Sequence, residues 1–244
     1  MASTQVPPTT YRAYHRTSGP LPQSIELHTE PLPHQLSPHE VLIRVKAVSL
    51  NYRDVAMLNG HYPTDHENAG RPCSDCAGEV AAIGGAVKDF KVGDRASTLA
   101  CAGVTAWTAL RRPKEIEPDT AVLLQGTGGV SMFALLICIA ANITPIISSS
   151  SDTKLSSISA LSPLIKGFNY KTQPDQAAQV KQLTTGKGVD IVINNTGAAS
   201  LLADLGSLRN RHGIVSLVGM LDGQKAEWDP NALMLVMKKL ARIQ

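Results

Sequence analysis

The sequence predicts an α/β protein in which an all-β amino-terminal part precedes a doubly wound, mostly parallel sheet. Before residue 100, short alternating segments are separated by turns rich in proline or glycine, such as residues 31–33 and 84–85. After residue 100, strand-like runs alternate with helix-like runs, and this alternation favours right-handed crossovers. We therefore expect two domains, residues 1–100 and 101–244.

Each part can be divided into elements by its apolar pattern. Strands of the first part are expected at residues 25–28, 41–49 and 77–83. Strands of the second part are expected at residues 121–125, 144–148, 167–170, 189–194 and 213–218. Helices with good apolar faces are expected at residues 132–141, 176–183 and 232–240.

Composition indicates a globular protein and excludes several classes of partner. The chain has 244 residues, of which 43% are hydrophobic and 18% charged, and its formal net charge is +3. Its basic residues are dispersed, so we expect no nucleic-acid partner. The amino terminus lacks an apolar signal region, and the longest apolar stretch, residues 132–143, is too short to span a bilayer. We expect a cytoplasmic protein without a membrane partner.

The four cysteines, Cys73, Cys76, Cys101 and Cys138, are too few for a disulfide framework and fit a reducing compartment. Cys73 and Cys76 form a single CxxC pair, which supplies at most two of the four ligands of a structural zinc. His61 and His66 lie upstream and keep a metal site open as an alternative. Solitary cysteines are most often small buried hydrophobes, so we expect no metal.

A glycine-rich turn follows the apolar run 121–125 and leads into the expected helix 132–141. Gly126, Gly128 and Gly129 allow the backbone to turn tightly and to approach a pyrophosphate, whose charge faces free N–H groups of the helix. Ser131 stands where the last glycine or alanine of the dinucleotide fingerprint is expected. The alternative is a glycine turn required only for steric reasons.

The second strand of this part, residues 144–148, ends in four serines, Asp152, Thr153 and Lys154. Folds that prefer NADH place a carboxylate directly at this tip, where it binds the ribose 2′-hydroxyl and repels a 2′-phosphate. Here the tip carries hydroxyls with a lysine nearby, and Asp152 suits the N-cap of the next helix better. The sequence therefore predicts a preference for NADPH, although a serine run can also be a solvated loop.

Five longer strings carry a family resemblance: NYRDVAMLNGHYP, CAGEVAAIGGAVKDFKVGDR, CAGVTAWTAL, VLLQGTGGVSMFAL and VDIVINNTG. From about residue 31 to residue 244 the chain resembles the medium-chain dehydrogenase/reductase superfamily, in its zinc-independent, quinone-oxidoreductase-like branch. The resemblance implies a GroES-like β domain followed by a Rossmann-type domain, and the activity of an oxidoreductase.

The resemblance also implies positions for the cofactor. It places the pyrophosphate on Gly126, Gly128, Gly129, Val130 and Ser131. It places the 2′-phosphate on Ser149, Ser150 and Lys154, with Tyr170 as a further candidate. The nicotinamide half faces Thr105, Asn195, Gly197, Val218 and Gly219. For Tyr170 and Thr105 a purely structural role, as a half-buried aromatic ring and a helix-start hydroxyl, stays open.

The catalytic zinc of related alcohol dehydrogenases is not expected. The positions that correspond to its cysteine, histidine and cysteine ligands carry Asn51, Ser74 and Cys101, and one thiolate does not hold zinc. Hydride delivery to an already electrophilic quinone or enone needs only hydrogen-bond donors at the acceptor oxygen. We expect Tyr52 and Asn51 to be these donors. The alternative is that Tyr52 is a domain-interface residue and that Arg53 and Asp54 form a structural pair.

The chain is also shorter than the family pattern. A few dozen residues are missing between residues 95 and 101, and residues 241–244 only reach the start of the last strand. We therefore expect an incomplete β domain, a sheet without its last strand, and a homodimer that lacks its usual edge. Three functions stay open: an NADPH-dependent reductase, which we favour, a redox-neutral cyclase or rearrangement enzyme that uses the old cofactor cleft, and a non-catalytic homologue.

Overall fold

The structure, a computed structural model, describes residues 8–62, 70–97, 99–111, 119–219, 221 and 229–244. Its contacts divide the chain into two compact units, Met1–Cys101 and Ala102–Gln244. In the described residues, the first unit contains antiparallel strands and one α-helix, and the second contains a parallel sheet with helices. The predicted order of an all-β part followed by a doubly wound parallel sheet is confirmed.

The first unit begins with an antiparallel hairpin. Strand β1 (Thr10–Arg16) pairs with β2 (Ile25–Pro31), with Thr10 opposite Pro31. Strand β1 was not predicted, because its residues are mostly polar or aromatic. Its alternation is nevertheless regular: Tyr11, Ala13 and His15 are half-buried, and the residues between them are exposed.

The first unit also contains a three-stranded antiparallel sheet in the order β3-β4-β5. Strand β3 (Val41–Ser49) has the predicted bounds, β4 (Asp75–Ile83) begins two residues before the predicted position, and β5 (Arg95–Ser97) is short. Helix α1 (Tyr52–Leu58) lies between β3 and β4 in the chain. Most side chains of β3 are exposed on both faces of the strand, and β3 is an edge strand of this sheet.

The second unit has a six-stranded parallel sheet in the order β11-β10-β9-β6-β7-β8. Its strands are β6 (Ala121–Gln125), β7 (Thr144–Ser149), β8 (Lys166–Asn169), β9 (Ile191–Asn194), β10 (Ile214–Leu217) and β11 (Arg242–Ile243). Its helices are α2 (Val104–Ala109), α3 (Gly129–Ala140), α4 (Asp152–Ser159), α5 (Gln176–Leu183), α6 (Leu201–Ser207) and α7 (Pro230–Lys239). None of the helices in the described residues is long and apolar enough to cross a bilayer.

The predicted strands and helices of this unit are all present, with small shifts at their ends. Helix α3 begins at Gly129, three residues before the predicted start, so it follows the glycine turn directly. The predicted strand at residues 189–194 begins at Ile191, because Val189 makes only an isolated bridge with Leu208. The prediction that Asp152 caps α4 is wrong: Ser151 is the N-cap, and its hydroxyl accepts the Lys154 N–H at 3.4 Å.

The carboxyl-terminal residues differ from the expectation of a sheet without its last strand. Arg242 and Ile243 form β11, which pairs in parallel with Ile214 and Val215 of β10. The backbone N–H of Gln244 also donates to the carbonyl oxygen of Val215 at 3.0 Å. The sheet therefore contains the beginning of a sixth strand.

Strand β6 is the centre of the core. Val122 and Leu124 pack with the helix α3 residues Leu135 and Cys138 on one face of the sheet. Leu123 belongs to a second cluster, which includes Val180 of α5 and Leu205 of α6. Burial on both faces explains why the strand is a continuous apolar run rather than an alternating one.

Burial also raises the pKa of the Cys138 thiol to about 12.

Lys239 is a buried lysine that closes the end of α6. Its Nζ donates to the carbonyl oxygens of Leu205 at 2.8 Å, Gly206 at 3.0 Å and Leu208 at 2.6 Å. The last carbonyl groups of a helix have no partner within the helix, and a cation there also interacts favourably with the helix dipole. The three bonds therefore compensate for the burial of the ammonium group.

We predict that Lys239→Met lowers the free energy of unfolding by about 1–3 kcal/mol, because it leaves three carbonyl groups without their donor. Lys238→Met is the matched control, since Lys238 is the exposed neighbour on the same helix turn. Urea unfolding of the two variants measures the difference. Equal midpoints for the two variants would contradict this role of Lys239.

Candidate functional site

The turn between β6 and α3 is rich in glycine, so its backbone is not covered by side chains of its own. Gly126 has φ +75°, a left-handed conformation that favours glycine, and a Cβ added at Gly126 or Gly128 would meet no atom within 4 Å. Gly128 is exposed and is the N-cap of α3. Gly129, Val130 and Ser131 begin the helix, where N–H groups have no carbonyl partner in the helix. This arrangement suits an anion.

Two serine hydroxyls hold the turn from the interior. The Gly126 N–H donates to Ser148 Oγ at 3.3 Å, and Ser131 Oγ donates to the Gln125 carbonyl oxygen at 2.8 Å. Ser131 is fully buried, so its hydroxyl is used inside the protein. Ser131 would therefore contact a pyrophosphate through its backbone N–H.

The ends of β9 and β10 lie beside this turn. Asn195 Nδ2 donates to Ser131 Oγ at 2.9 Å and to the Gln125 carbonyl oxygen at 3.1 Å. The N–H groups of Val218 and Gly219 donate to the Asn194 carbonyl oxygen, at 2.8 and 3.1 Å. The predicted residues Gly126, Ser131, Asn195, Gly197, Val218 and Gly219 thus lie along one edge of the sheet, at the carboxyl ends of its strands.

The predicted 2′-phosphate residues lie at the ends of β7 and β8. The Tyr170 N–H donates to the Ser149 carbonyl oxygen at 3.0 Å, which brings these two residues together. Ser149 is buried and its Oγ accepts the Ser151 N–H at 3.2 Å, whereas Ser150 is exposed. Lys154 lies in the first turn of α4 and is exposed.

Two further charged residues lie at this tip. The Asp152 carboxylate accepts a hydrogen bond from Asn169 Nδ2 at 3.0 Å, so one of its oxygens is directed to the end of β8. Lys171 Nζ lies 5.8 Å from the centre of the Tyr170 ring, a cation–π distance. Sequence reasoning missed Lys171, although it follows the predicted third strand directly.

Thr105 is half-buried in α2, which packs against α3. A Cβ on Gly129 would lie 3.5 Å from Ala102 Cβ, so the residues before α2 are next to the start of α3. At the other end of α2, Ser216 Oγ donates to the Ala109 carbonyl oxygen at 2.8 Å. These contacts place the helix of Thr105 beside the glycine turn and β10.

The predicted catalytic residues belong to the first unit. Asn51 is the N-cap of α1: its N–H donates to Asp54 Oδ2 at 2.7 Å, and its Nδ2 donates to the Ser49 carbonyl oxygen at 3.3 Å. Tyr52 is the first residue of α1 and is 49% exposed. Arg53 Nη1 lies 3.6 Å from Asp54 Oδ1, so the ion pair weighed as a structural alternative is present.

Two of the zinc-ligand positions have different environments. Ser74 Oγ is buried without a hydrogen-bond partner among the described residues, whereas the Cys101 N–H donates to Asp75 Oδ1 at 3.3 Å. Cys73 and Cys76 are free, half-buried thiols, and burial raises the pKa of Cys73, with a further contribution from Asp54. Within the described ranges, which omit His66, no group of three His, Cys, Asp or Glu side chains is placed to hold a metal ion.

Sequence reasoning also missed a buried polar network beneath the edge, centred on Asp204 of α6. Asp204 Oδ1 accepts from Gln125 Nε2 at 2.7 Å, and Oδ2 accepts from Asn194 Nδ2 at 2.6 Å. Burial raises the pKa of the Asp204 carboxyl to about 6, against the opposing effect of its hydrogen bonds. A signal was available, since Asp204 interrupts the apolar helix LLADLGS.

Comparisons with known proteins agree with this architecture. Residues 37–145 match the family model for the alcohol dehydrogenase GroES-like domain, and residues 129–243 match the model for zinc-binding dehydrogenases. A zinc-type alcohol dehydrogenase-like protein of Schizosaccharomyces pombe is 31% identical over 245 residues, which cover 78% of this chain and 70% of that protein. The expected GroES-like character of the first domain is confirmed.

Solved structures show the same fold. A quinone oxidoreductase of Pseudomonas syringae pv. Tomato DC3000 is 25% identical, with a TM-score of 0.71 over 96% of this chain and 80% of that one. An Escherichia coli quinone oxidoreductase, solved in complex with NADPH, is 22% identical, with the same TM-score and the same coverage of both chains. At 22% identity the second likeness shows the fold alone.

We predict that Gly219→Ala destabilises the protein and that Gly128→Ala does not. An added Cβ at Gly219 would lie 2.3 Å from the Asn195 carbonyl oxygen, whereas Gly128 has φ −79° and open space around it. Overpacking against backbone costs about 1–3 kcal/mol. Thermal unfolding of both variants is the measurement, and a Gly219→Ala variant as stable as the wild type would contradict the close approach of β9 and β10.

Proposed function

Because the chain belongs to the medium-chain dehydrogenase/reductase superfamily, in its quinone-oxidoreductase-like branch, we propose that it is an NADPH-dependent reductase acting without zinc. Its substrate is a quinone-like or enone small molecule, to which hydride is transferred. Family membership makes the protein an oxidoreductase with a nicotinamide cofactor; the choice of NADPH, the acceptor class and the independence from zinc are the proposal.

The observation that carries the proposal is the bare glycine turn at the start of α3. Gly126, with its positive φ, and the exposed Gly128 leave room for a pyrophosphate against the first N–H groups of the helix. The neighbouring strand ends supply Asn195 and Gly219, which would face the nicotinamide half. The residues present therefore fit a dinucleotide.

The preference for NADPH is supported by the residues at the end of β7. Ser150 and Lys154 are exposed, and Lys171 adds a second cation beside Tyr170. Asp152, a carboxylate near this tip, accepts a hydrogen bond from Asn169 Nδ2. Hydroxyl and ammonium donors favour a 2′-phosphate, whereas a carboxylate facing the ribose favours a 2′-hydroxyl.

The proposed chemistry needs a cofactor and a proton donor. The nicotinamide supplies a hydride, which carries two electrons to an electrophilic carbon of the acceptor. Tyr52, at the start of α1 with an exposed ring, donates a hydrogen bond and then a proton to the acceptor oxygen as negative charge develops there. Asn51 orients the acceptor. The residue types at positions 51, 74 and 101 support a reaction without zinc.

The remaining proposals concern location and partners. The four free cysteines support a cytoplasmic location. The ligands we propose are small molecules and not nucleic acid or membrane. We also propose a homodimer that forms without the usual dimer-edge strand, and gel filtration with light scattering tests this oligomeric state.

We predict that Lys154→Ala weakens NADPH binding about tenfold and leaves NADH binding almost unchanged, because a charge-assisted bond to the 2′-phosphate is lost. Calorimetric titration with both cofactors at one salt concentration is the measurement. Lys238→Ala, an exposed lysine of α7, controls for the loss of one positive charge. Equal binding of NADPH and NADH by the wild type would refute the proposed preference.

We predict that Tyr52→Phe lowers the turnover of an enone or quinone at least about tenfold while NADPH binding is kept, because one proton donor is removed. Tyr14→Phe, which changes an exposed tyrosine of β1, is the matched control. Oxidation of NADPH is followed by absorbance. Unchanged turnover would exclude the catalytic role of Tyr52, and substrate consumption without NADPH oxidation would favour a redox-neutral reaction instead.

A further inference from the structure

Asp204 is a buried acceptor surrounded by donors. Its Oδ1 accepts from Gln125 Nε2 at 2.7 Å and from Gln176 Nε2 at 2.8 Å. Its Oδ2 accepts from Asn194 Nδ2 at 2.6 Å and from Ser200 Oγ at 3.0 Å. An ionised carboxylate can only accept hydrogen bonds, so every one of these four groups must present a donor to it.

This requirement fixes the orientation of two amides. Gln125 directs its NH₂ to Asp204, and therefore its Oε1 points the other way, where it accepts the Asn195 N–H at 3.0 Å. The same oxygen accepts from the Thr196 hydroxyl at 2.6 Å and lies 3.4 Å from the Thr196 backbone nitrogen. Asn194 Oδ1 accepts the Gly197 N–H at 2.7 Å in the same way.

The residues held by these amide oxygens, 195–197, are the ones that follow β9 at the nucleotide edge. Gly197 has φ +116°, a conformation that needs support from its neighbours. Its N–H and its carbonyl oxygen both bond to the Asn194 side chain, at 2.7 and 3.0 Å. The conformation of this segment therefore depends on which way Gln125 and Asn194 are turned.

We propose that Asp204 is a positioning residue for the dinucleotide: its ionised carboxylate turns Gln125 and Asn194 so that residues 195–197 are held in the binding conformation. This inference rests on the proposed function, because it takes the nicotinamide half to bind at residues 195–197. It adds a residue that touches no cofactor atom and acts through two amides.

Protonation of Asp204 would remove the constraint that holds the Gln125 and Asn194 amides in their orientation. A protonated carboxyl carries a donor, so one of its four partners must then accept: the Ser200 hydroxyl can rotate to do so, and an amide can do so by turning its oxygen towards the carboxyl. If Gln125 turns, its NH₂ faces the N–H groups of Asn195 and Thr196 and these two hydrogen bonds are lost, whereas the Thr196 hydroxyl can accept from the NH₂ instead. Since the pKa of Asp204 is raised to about 6, this change falls within an accessible pH range.

The elements packed against α6 carry only a few charged groups in the part of the chain that the structure describes. Strands β6, β9 and β10 carry no ionisable side chain. Helix α5 has Lys181 and its N-cap Asp175, and α7 has Lys238, Lys239 and its N-cap Asp229. Lys239 Nζ bonds to carbonyl oxygens at the C-terminal end of α6, and Asp175 accepts the Ala178 N–H.

The test uses the full chain and compares Asp204→Asn with Asp190→Asn. Asp190 is a half-buried carboxylate at the opposite edge of the same sheet, where it accepts the Ala121 N–H. Hydrogen exchange of the Asn195, Thr196 and Gly197 amides is measured at about pH 7 and about pH 5, one unit on either side of the Asp204 pKa of about 6, and is corrected for intrinsic rates. The Kd for NADPH is measured at the same two pH values.

We expect the wild type to lose protection of these three amides about tenfold at the lower pH, while Leu123 and Leu124 of β6 keep theirs. Asp204→Asn should show low protection and about tenfold weaker NADPH binding at the higher pH. Asp190→Asn should keep the wild-type pH dependence of amide protection and of the Kd for NADPH. Part of the pH dependence of the Kd comes from titration of the NADPH phosphate itself and is common to all variants.

The outcomes separate this inference from the proposed function. Protection at residues 195–197 that does not change with pH in the wild type overturns the inference, even if NADPH binds and even if Asp204→Asn fails to fold. If protection changes as expected but the wild type binds no NADPH at either pH, the proposed function is overturned and with it the ligand named here. If Asp190→Asn changes the pH dependence of protection at residues 195–197 as much as Asp204→Asn does, Asp204 is only a general stabilising residue. That result would also overturn the inference.

Discussion

The parallel pairing of β6 with both β7 and β9 is the constraint on which the second unit depends. In a parallel sheet the carboxyl ends of all strands meet at one edge. The glycine turn after β6, Ser149 at the end of β7 and Asn195 after β9 therefore lie along one edge of the sheet, and no attraction between their side chains is needed to place them there. Because β6 is buried on both faces, helices must cover both sides of the sheet, and their amino-terminal ends point to the same edge.

Local features of the second unit could be predicted from the sequence, and non-local ones could not. The bounds of β6 and α5 follow from an apolar run and from a helix with a clear N-cap, so they coincide with the prediction. Ser151 and Asp152 are both good N-cap residues, and the choice between them depends on where β7 ends. The partners of Asp204 lie as far as 79 positions away, and sequence periodicity carries no information about them.

Helix α6 shows how the protein accommodates charge away from water. Asp204 in its middle is held by amide and hydroxyl donors, and Lys239 at its end is held by backbone carbonyl oxygens. In both cases oriented neutral dipoles stabilise a buried ion. Such bonds are directional, and they fix the position of the groups around the ion as well as its charge state. The same helix thus connects the stability of the unit with the geometry of the edge that we propose as the dinucleotide site.

The exposed edge strand β3 has a consequence for the behaviour of the protein in solution. Its nine residues include the exposed apolar side chains of Ile43 and Val45, and such an edge can pair with another copy of itself. Arg44 and Lys46 alternate with them, so two approaching edges repel each other electrostatically. Dissolved ions shorten the range of this repulsion to about 8 Å at physiological ionic strength and to less at higher salt. At this edge, added salt therefore weakens the repulsion between two copies and favours their pairing.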